Sequence, residues 1–240
     1  MFFKANKSAL YAVMGIALAS TGSAALADVL VTRSSGSIAR EIPRGTRLGD
    51  TQTIRLSAND RVTVLTSSGT RQFNGPGRFR VNGPVRVASG SITTSGRNGT
   101  ARTGASRGPY AAMMRTPWQI DITEGGPFCF VDGQALTFWR GNASIDAEVI
   151  VTRVADEESI TVNMAEGEYA QSWPEGVAVT GGTYRVVIQG STSHALMEFV
   201  PINVDADDAV AVGGAFLTNE CNGQLEAMTA ISDVVLASND

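Results

Sequence analysis

Apolar residues alternate with polar ones in short runs along most of the chain. Ahead of residue 95 the runs are "DVLVTR", "TIRLSANDRVTVL" and "TRQFNGPGRFRV", separated by Ser-Gly, Gly-Asp, Asn-Asp and Gly-Pro-Gly. Val62 and Val64 share one face, and the arginines of "RQF" and "RFRV" read as the polar outer faces of half-buried strands. After residue 117 the same pattern continues in "WQIDIT", "FCFVDG", "ALTFWR", "AEVIVTRV", "ESITVNM", "EYAQSW", "TYRVVIQG" and "HALMEFV". Runs of this kind with short turn signals between them predict antiparallel sandwiches or barrels. From Asp205 the period lengthens, with Leu225, Met228, Ile231 and Val235 at helical spacing. Asp207 or Asp208 offers a carboxylate to the free N–H groups of a helix start. Val210 and Val212 fit a strand as well as a first helix, which Gly213 and Gly214 weaken. The expectation is an all-β fold: two β-sandwich or barrel-like modules of short antiparallel strands, with a short helical C-terminus.

The "NGPG" stretch could be a binding loop or a corner. A phosphate-cradling loop uses successive N–H groups; Pro76 removes one and fixes its own φ. Gly75, Pro76 and Gly77 therefore read as a structural turn, of type II, between two strands.

Composition adds a compartment. Lys4 and Lys7 precede an apolar stretch from Ala9 to Ala19, followed by small residues ending in Ala25-Leu26-Ala27. That is the pattern of a secretory signal peptide, so residues 1–27 are expected to be removed and the remainder exported, periplasmic or secreted. No later run is long enough to span a bilayer as a helix. Export in turn gives meaning to the two cysteines. Cys129 and Cys221 form an even pair in an oxidising compartment, which predicts a disulfide; two separate buried thiols are the alternative.

Charge divides the chain further. Between Asp28 and Arg115 stand 14 arginines and four carboxylates, a net +10, while from Thr116 onward three arginines stand against 19 carboxylates, a net −16. Such a split argues for a basic β domain over residues 28–94 and an acidic one over 118–204. Residues 95–117, rich in Gly, Ser, Thr and Arg, read as a linker between them. Residues 205–240 form the helical segment. Arg71, Arg78, Arg80 and Arg86 fall at strand positions that would make one outward basic stripe. Its expected partner is an envelope protein or an anionic envelope surface, unless the acidic half of the same molecule neutralises it. Nucleic acid fits poorly, given the compartment and the few aromatics among the arginines.

Catalytic chemistry is restricted. No lysine follows Lys7 and His194 is the single histidine, which excludes Schiff-base and Ser-Lys chemistry in the exported part. His194 alternates with Leu196 and Glu198 on one strand face, the place of an ordinary strand residue rather than a triad member. One His and two Cys without clustered spacing give no zinc pattern. The "DADD" run at Asp205 to Asp208 has Val210 and Phe216 where a calcium loop would need Gly and Glu. No cofactor is implied, and the chain reads as a non-enzymatic binding or regulatory module. A structural or adhesive envelope component is the alternative. A carboxylate-pair glycoside hydrolase stays open because spatial pairing of Asp and Glu cannot be read from sequence.

At "VLVTRSSGSIAREIPRGTRL" and "LSANDRVTVLTSSGTRQFNGPGRFRV" the chain resembles the FecR-like periplasmic domain of bacterial regulators. The positions that carry the resemblance are Asp60, Val62, Val64, Gly69, Thr70, Gly75, Pro76, Gly77 and Phe79. Beyond them the chain is similar to exported bacterial proteins that join such a segment to a β-rich part with a Cys and a Trp ("FCFVDGQALTFWR") and end in "CNGQL". The resemblance implies a small β domain in the envelope. It does not imply the regulators' signalling role, which belongs to segments outside these motifs.

Overall fold

The computed structural model describes residues 29–83 and 116–230, together with the backbone of 235–236. The expected signal peptide at residues 1–27, Arg86 and nearly all of the expected linker lie outside the described residues.

The basic part contains β1 (Val29–Ser35), a 3-10 turn (Ser37–Arg40), β2 (Arg47–Leu48), β3 (Thr53–Leu56), β4 (Arg61–Thr66), β5 (Gly69–Asn74) and β6 (Gly77–Arg80). The acidic part contains β7 (Gln119–Asp121), β8 (Gly126–Phe130), β9 (Thr137–Trp139), β10 (Ala147–Arg153), β11 (Ser159–Met164), β12 (Ala170–Ser172), β13 (Gly182–Ile188) and β14 (His194–Pro201). Helices α1 (Ala209–Thr218) and α2 (Asn222–Ala230) follow, then a two-residue strand, β15 (Val235–Leu236). The all-β expectation holds, with two short helices near the C-terminus.

In the basic part the strand order is β15-β5-β4-β1-β2, with β3 and β6 paired as a separate ribbon. Val29, Val31, Val62, Val64, Phe73 and Phe79 are buried between them, and the rings of Phe73 and Phe79 lie 5.4 Å apart. In the acidic part a sheet of order β11-β10-β13-β14-β8 packs on one of order β12-β9-β7. Phe199 sits at the centre, against Phe128, Phe130, Trp173 and Tyr184. As the period-two pattern requires, Ala195, Met197 and Phe199 are buried while His194, Leu196 and Glu198 are exposed.

Pairing is not antiparallel throughout. β8 runs parallel to β14, β7 to β9, and β15 to β5. These partners are distant in sequence, so long connections rather than tight turns set their direction. The "NGPG" corner is not a type II turn, since Gly77, its expected third residue, has φ 156° rather than about +80°. It passes the chain from β5 in the large sheet to β6 in the ribbon. Gly75 is required by close approach: a Cβ there would lie 2.0 Å from the Ser57 carbonyl oxygen.

Asp208 caps α1, its Oδ1 accepting from the N–H groups of Val210 and Ala211, each at 3.0 Å. This decides the ambiguity at Val210 and Val212 in favour of helix. Helix α1 covers one end of the outer face of the basic sheet, where Val210 packs on Leu30 and Leu65. A Cβ on Gly213 would lie 2.6 Å from Leu65 Cδ2, so this glycine is what permits the contact. On its other side α1 presents Phe216 to Trp118 of the acidic part, ring to edge at 5.8 Å. Helix α2 is described as far as Ala230; Ile231 lies outside the described residues, and Val235 belongs to β15 rather than to the helical stripe its spacing suggests.

Cys129 of β8 and Cys221 form a disulfide with Cα atoms 5.9 Å apart. Three residues on, the Gln224 side chain is buried and acts as a neighbouring strand would. It accepts from Cys129 N–H at 2.6 Å and donates to the carbonyls of Cys129 and Pro117, each at 2.8 Å. The "CNGQL" motif thus fixes α2 to the outer edge of β8, and Leu225 completes the contact as a buried core residue. The helical hairpin is shared by both β parts.

Candidate functional site

The arginines expected to form one stripe are divided by the fold. Arg71 is two residues from Phe73 and shares its face, directly opposite Val64 on β4. Its guanidinium reaches across the edge and donates to the Gly83 carbonyl at 2.6 Å, tying β5 to the chain after β6. Arg78 and Arg80 are exposed on β6, opposite Arg55 and Thr53 of β3. The Arg55–Arg78 pairing places like charges across from one another, an arrangement that costs stability unless something offsets it.

A different set of arginines converges on the outer face of the large basic sheet, at the end that α1 leaves uncovered. The register aligns Arg33, Thr63 and Gln72 in one row across β1, β4 and β5, and Ser35, Arg61 and Asn74 in the next. Arg44, from the loop before β2, stands beside them. Arg33, Arg44, Arg61, Thr63 and Gln72 line a concavity of about 420 Å³. Arg44 also lines a second concavity of about 450 Å³, with Arg47 of β2 and with Gly214, Thr218 and Asn222 of the hairpin. Among the described residues no carboxylate lines either one.

The helices hold two of these guanidiniums in place. Arg44 Nη2 donates to Asn222 Oδ1 at 2.6 Å. Arg47 lies against Gly214, where a Cβ would come within 2.6 Å of Nη2. The second glycine of the pair therefore makes room for a charge, as the first does for a leucine.

Opposed net charges do not translate into contact between the two halves. Among the described residues one ion pair joins the basic part to the rest, Arg33 with Glu226 at 3.4 Å, and both side chains are largely exposed. Such a pair contributes about 0–1 kcal/mol. Arg153 and Arg185 pair locally with Asp156, Glu158 and Glu157. Arg44, Arg47 and Arg61 have no ion pair among the described residues.

Other chemistry-bearing groups have structural roles. Asp60 is buried and accepts from Ser57 N–H at 2.7 Å, Ile38 N–H at 3.2 Å and the Ser37 hydroxyl at 3.0 Å. The Ser57 bond first, then those from Ile38 and Ser37, hold its carboxyl below the ordinary range, against a burial effect that acts upward. Asp156 is likewise held low, chiefly by its hydrogen bond from Arg153. Both shifts run opposite to what a general acid at neutral pH requires. Arg140 is buried with no carboxylate partner, and its guanidinium donates to the carbonyls of Glu168, Ile145, Met164 and Ala165 at 2.6–3.3 Å. It fastens two loops of the acidic part. A cleft of about 280 Å³ beside β8 is lined by Asp121, Glu124 and Glu220. Asp121 there spends one oxygen on the N–H and hydroxyl of Thr123, at 2.9 and 2.6 Å. Among the described residues no three His, Cys, Asp or Glu side chains form a metal-holding group, and no helix is long and apolar enough to cross a membrane.

Sequence reasoning missed Arg33, Arg44, Arg47 and Arg61 as a group because they come from β1, a loop, β2 and β4, and only the strand register and the hairpin bring them together. No protein-family model matches the chain, and no curated protein is significantly similar to it.

Proposed function

We propose that this is an exported, non-enzymatic binding module of the bacterial cell envelope, whose FecR-like basic part recognises an anionic partner through Arg33, Arg44, Arg47 and Arg61. The observation that carries the proposal is the convergence of these four arginines on two adjoining concavities that, among the described residues, no carboxylate lines. Guanidinium groups bind phosphate and carboxylate bidentately, and positioning them in advance lowers the cost of binding. Asn222 and Gly214 position Arg44 and Arg47 in this way. The signal-like N-terminus and the Cys129–Cys221 disulfide both support an oxidising, exported setting.

A second reading, docking onto an anionic envelope surface through the β3–β6 ribbon, is favoured by the exposed Arg55, Arg78 and Arg80 on one face. Purified mature protein incubated with envelope fractions at low and at physiological salt tests the proposal. Retention that falls with salt and is lost in R44Q/R47Q supports it, because exposed charges are screened over about 8–10 Å at these ionic strengths. Retention unchanged in R44Q/R47Q argues against this surface.

A further inference from the structure

We infer that the ligand of this surface carries two phosphate-type groups, one held in each concavity, with Arg44 contacting both. The inference rests on the reading of the surface as an anion site and adds the form of the ligand. Its ground is the position of Arg44, which among the described arginines is the one that lines both concavities. Each concavity also has a guanidinium of its own. On the sheet side it is Arg61, since Arg33 already faces Glu226; on the hairpin side it is Arg47, seated on Gly214.

Volume points the same way. The two concavities, of about 420 and 450 Å³, each have room for one phosphate group beside its own arginine. Neighbouring donors fit an extended oxyanion. Thr63 and Gln72 flank Arg61 in the aligned rows of the sheet, and Thr218 lies on the hairpin side. Among the described residues no carboxylate lines either concavity, and Arg47 and Arg61 have no ion pair for an entering anion to displace. A ligand that spans both places its second group at high effective concentration once the first is bound. The shared chemistry is a pair of linked phosphates, whether free in solution or on a lipid headgroup.

Isothermal titration of the mature, oxidised protein with inorganic phosphate and with tripolyphosphate tests this. The expected result is two phosphates bound per protein but a single tripolyphosphate, the latter about tenfold tighter or more. R47Q and R61Q should each leave one phosphate site and reduce the tripolyphosphate advantage. R44Q should weaken both sites, whereas R40Q, at an exposed position outside both concavities, should change neither. Co-sedimentation with vesicles containing a diphosphorylated lipid, compared with phosphatidylcholine vesicles, separates a lipid source from a soluble one. Two tripolyphosphates per protein, or an R44Q loss no greater than that of R40Q, would overturn the two-group ligand while leaving an anion surface standing. Absence of binding by every anion and vesicle would overturn the surface reading and this inference together.

Discussion

Gln224 holds both backbone groups of Cys129, accepting from its N–H at 2.6 Å and donating to its carbonyl at 2.8 Å, three residues after the cysteine that is bonded to Cys129 through sulfur. One segment of α2 thus secures the same point of β8 twice, once covalently and once as a substitute strand. Replacing Gln224 by Leu keeps the volume but leaves the Cys129 N–H and two carbonyls without partners. Equilibrium urea unfolding with the disulfide intact should show a loss of about 2–4 kcal/mol, the scale of several unsatisfied buried groups. A loss below 0.5 kcal/mol, on that same scale, would mean that the disulfide alone sets the position of α2.

Adjacent glycines in α1 should respond in opposite directions. Either change to Ala gains about 1 kcal/mol of helix propensity. At Gly213 the new Cβ meets Leu65, itself buried against Leu30 and Val210, so overpacking of about 1–3 kcal/mol should prevail and lower the melting temperature. At Gly214 it meets only the far end of the exposed Arg47 side chain, which can move aside, so G214A should melt at or above the wild-type temperature. Displacement of Arg47 should nevertheless weaken anion binding. Equal melting shifts for the two variants would contradict this division of roles.

Asp60 makes the basic part sensitive to acid. Its folded-state pKa lies below the ordinary value of 3.8, so its stabilising effect is complete above that value and is lost as pH falls through the folded pKa. Replacement by Asn should lower the melting temperature at neutral pH and flatten its decline below about pH 4 relative to wild type. Parallel melting curves across that range would show that the Ser57, Ile38 and Ser37 bonds do not favour the charged carboxylate.

The strands are legible in the sequence because a half-buried sheet enforces alternation, which "HALMEFV" displays residue by residue. Asp208 and the Cys129–Cys221 pair were also legible, one through helix-capping chemistry and the other through parity in a chain expected to be exported. Arg71 shows the limit of reading charges without register: its two-residue offset from Phe73 turns it inward to Gly83, away from Arg78 and Arg80. The return of the C-terminal segment to the basic sheet leaves no local signal, since β15 pairs with a strand far away in sequence. Nor does the site leave one. Arg33 and Arg61 become neighbours only through the β1–β4 register, and Arg44 and Arg47 are placed by Asn222 and Gly214 from the opposite end of the chain.

The most direct measurement compares two charge-matched triple variants of the mature, oxidised protein by their elution from phosphocellulose along a salt gradient. R44Q/R47Q/R61Q removes the guanidiniums of the two concavities. R40Q/R55Q/R80Q removes the same charge from exposed positions elsewhere in the basic part. Both lower the net charge equally, so any difference between them reports location rather than overall field. The account predicts that the first variant elutes at clearly lower salt than wild type while the second stays near it, with melting temperatures within a few degrees of one another. Equal elution of the two variants, or earlier elution of the second, would contradict the assignment of the binding surface to Arg44, Arg47 and Arg61.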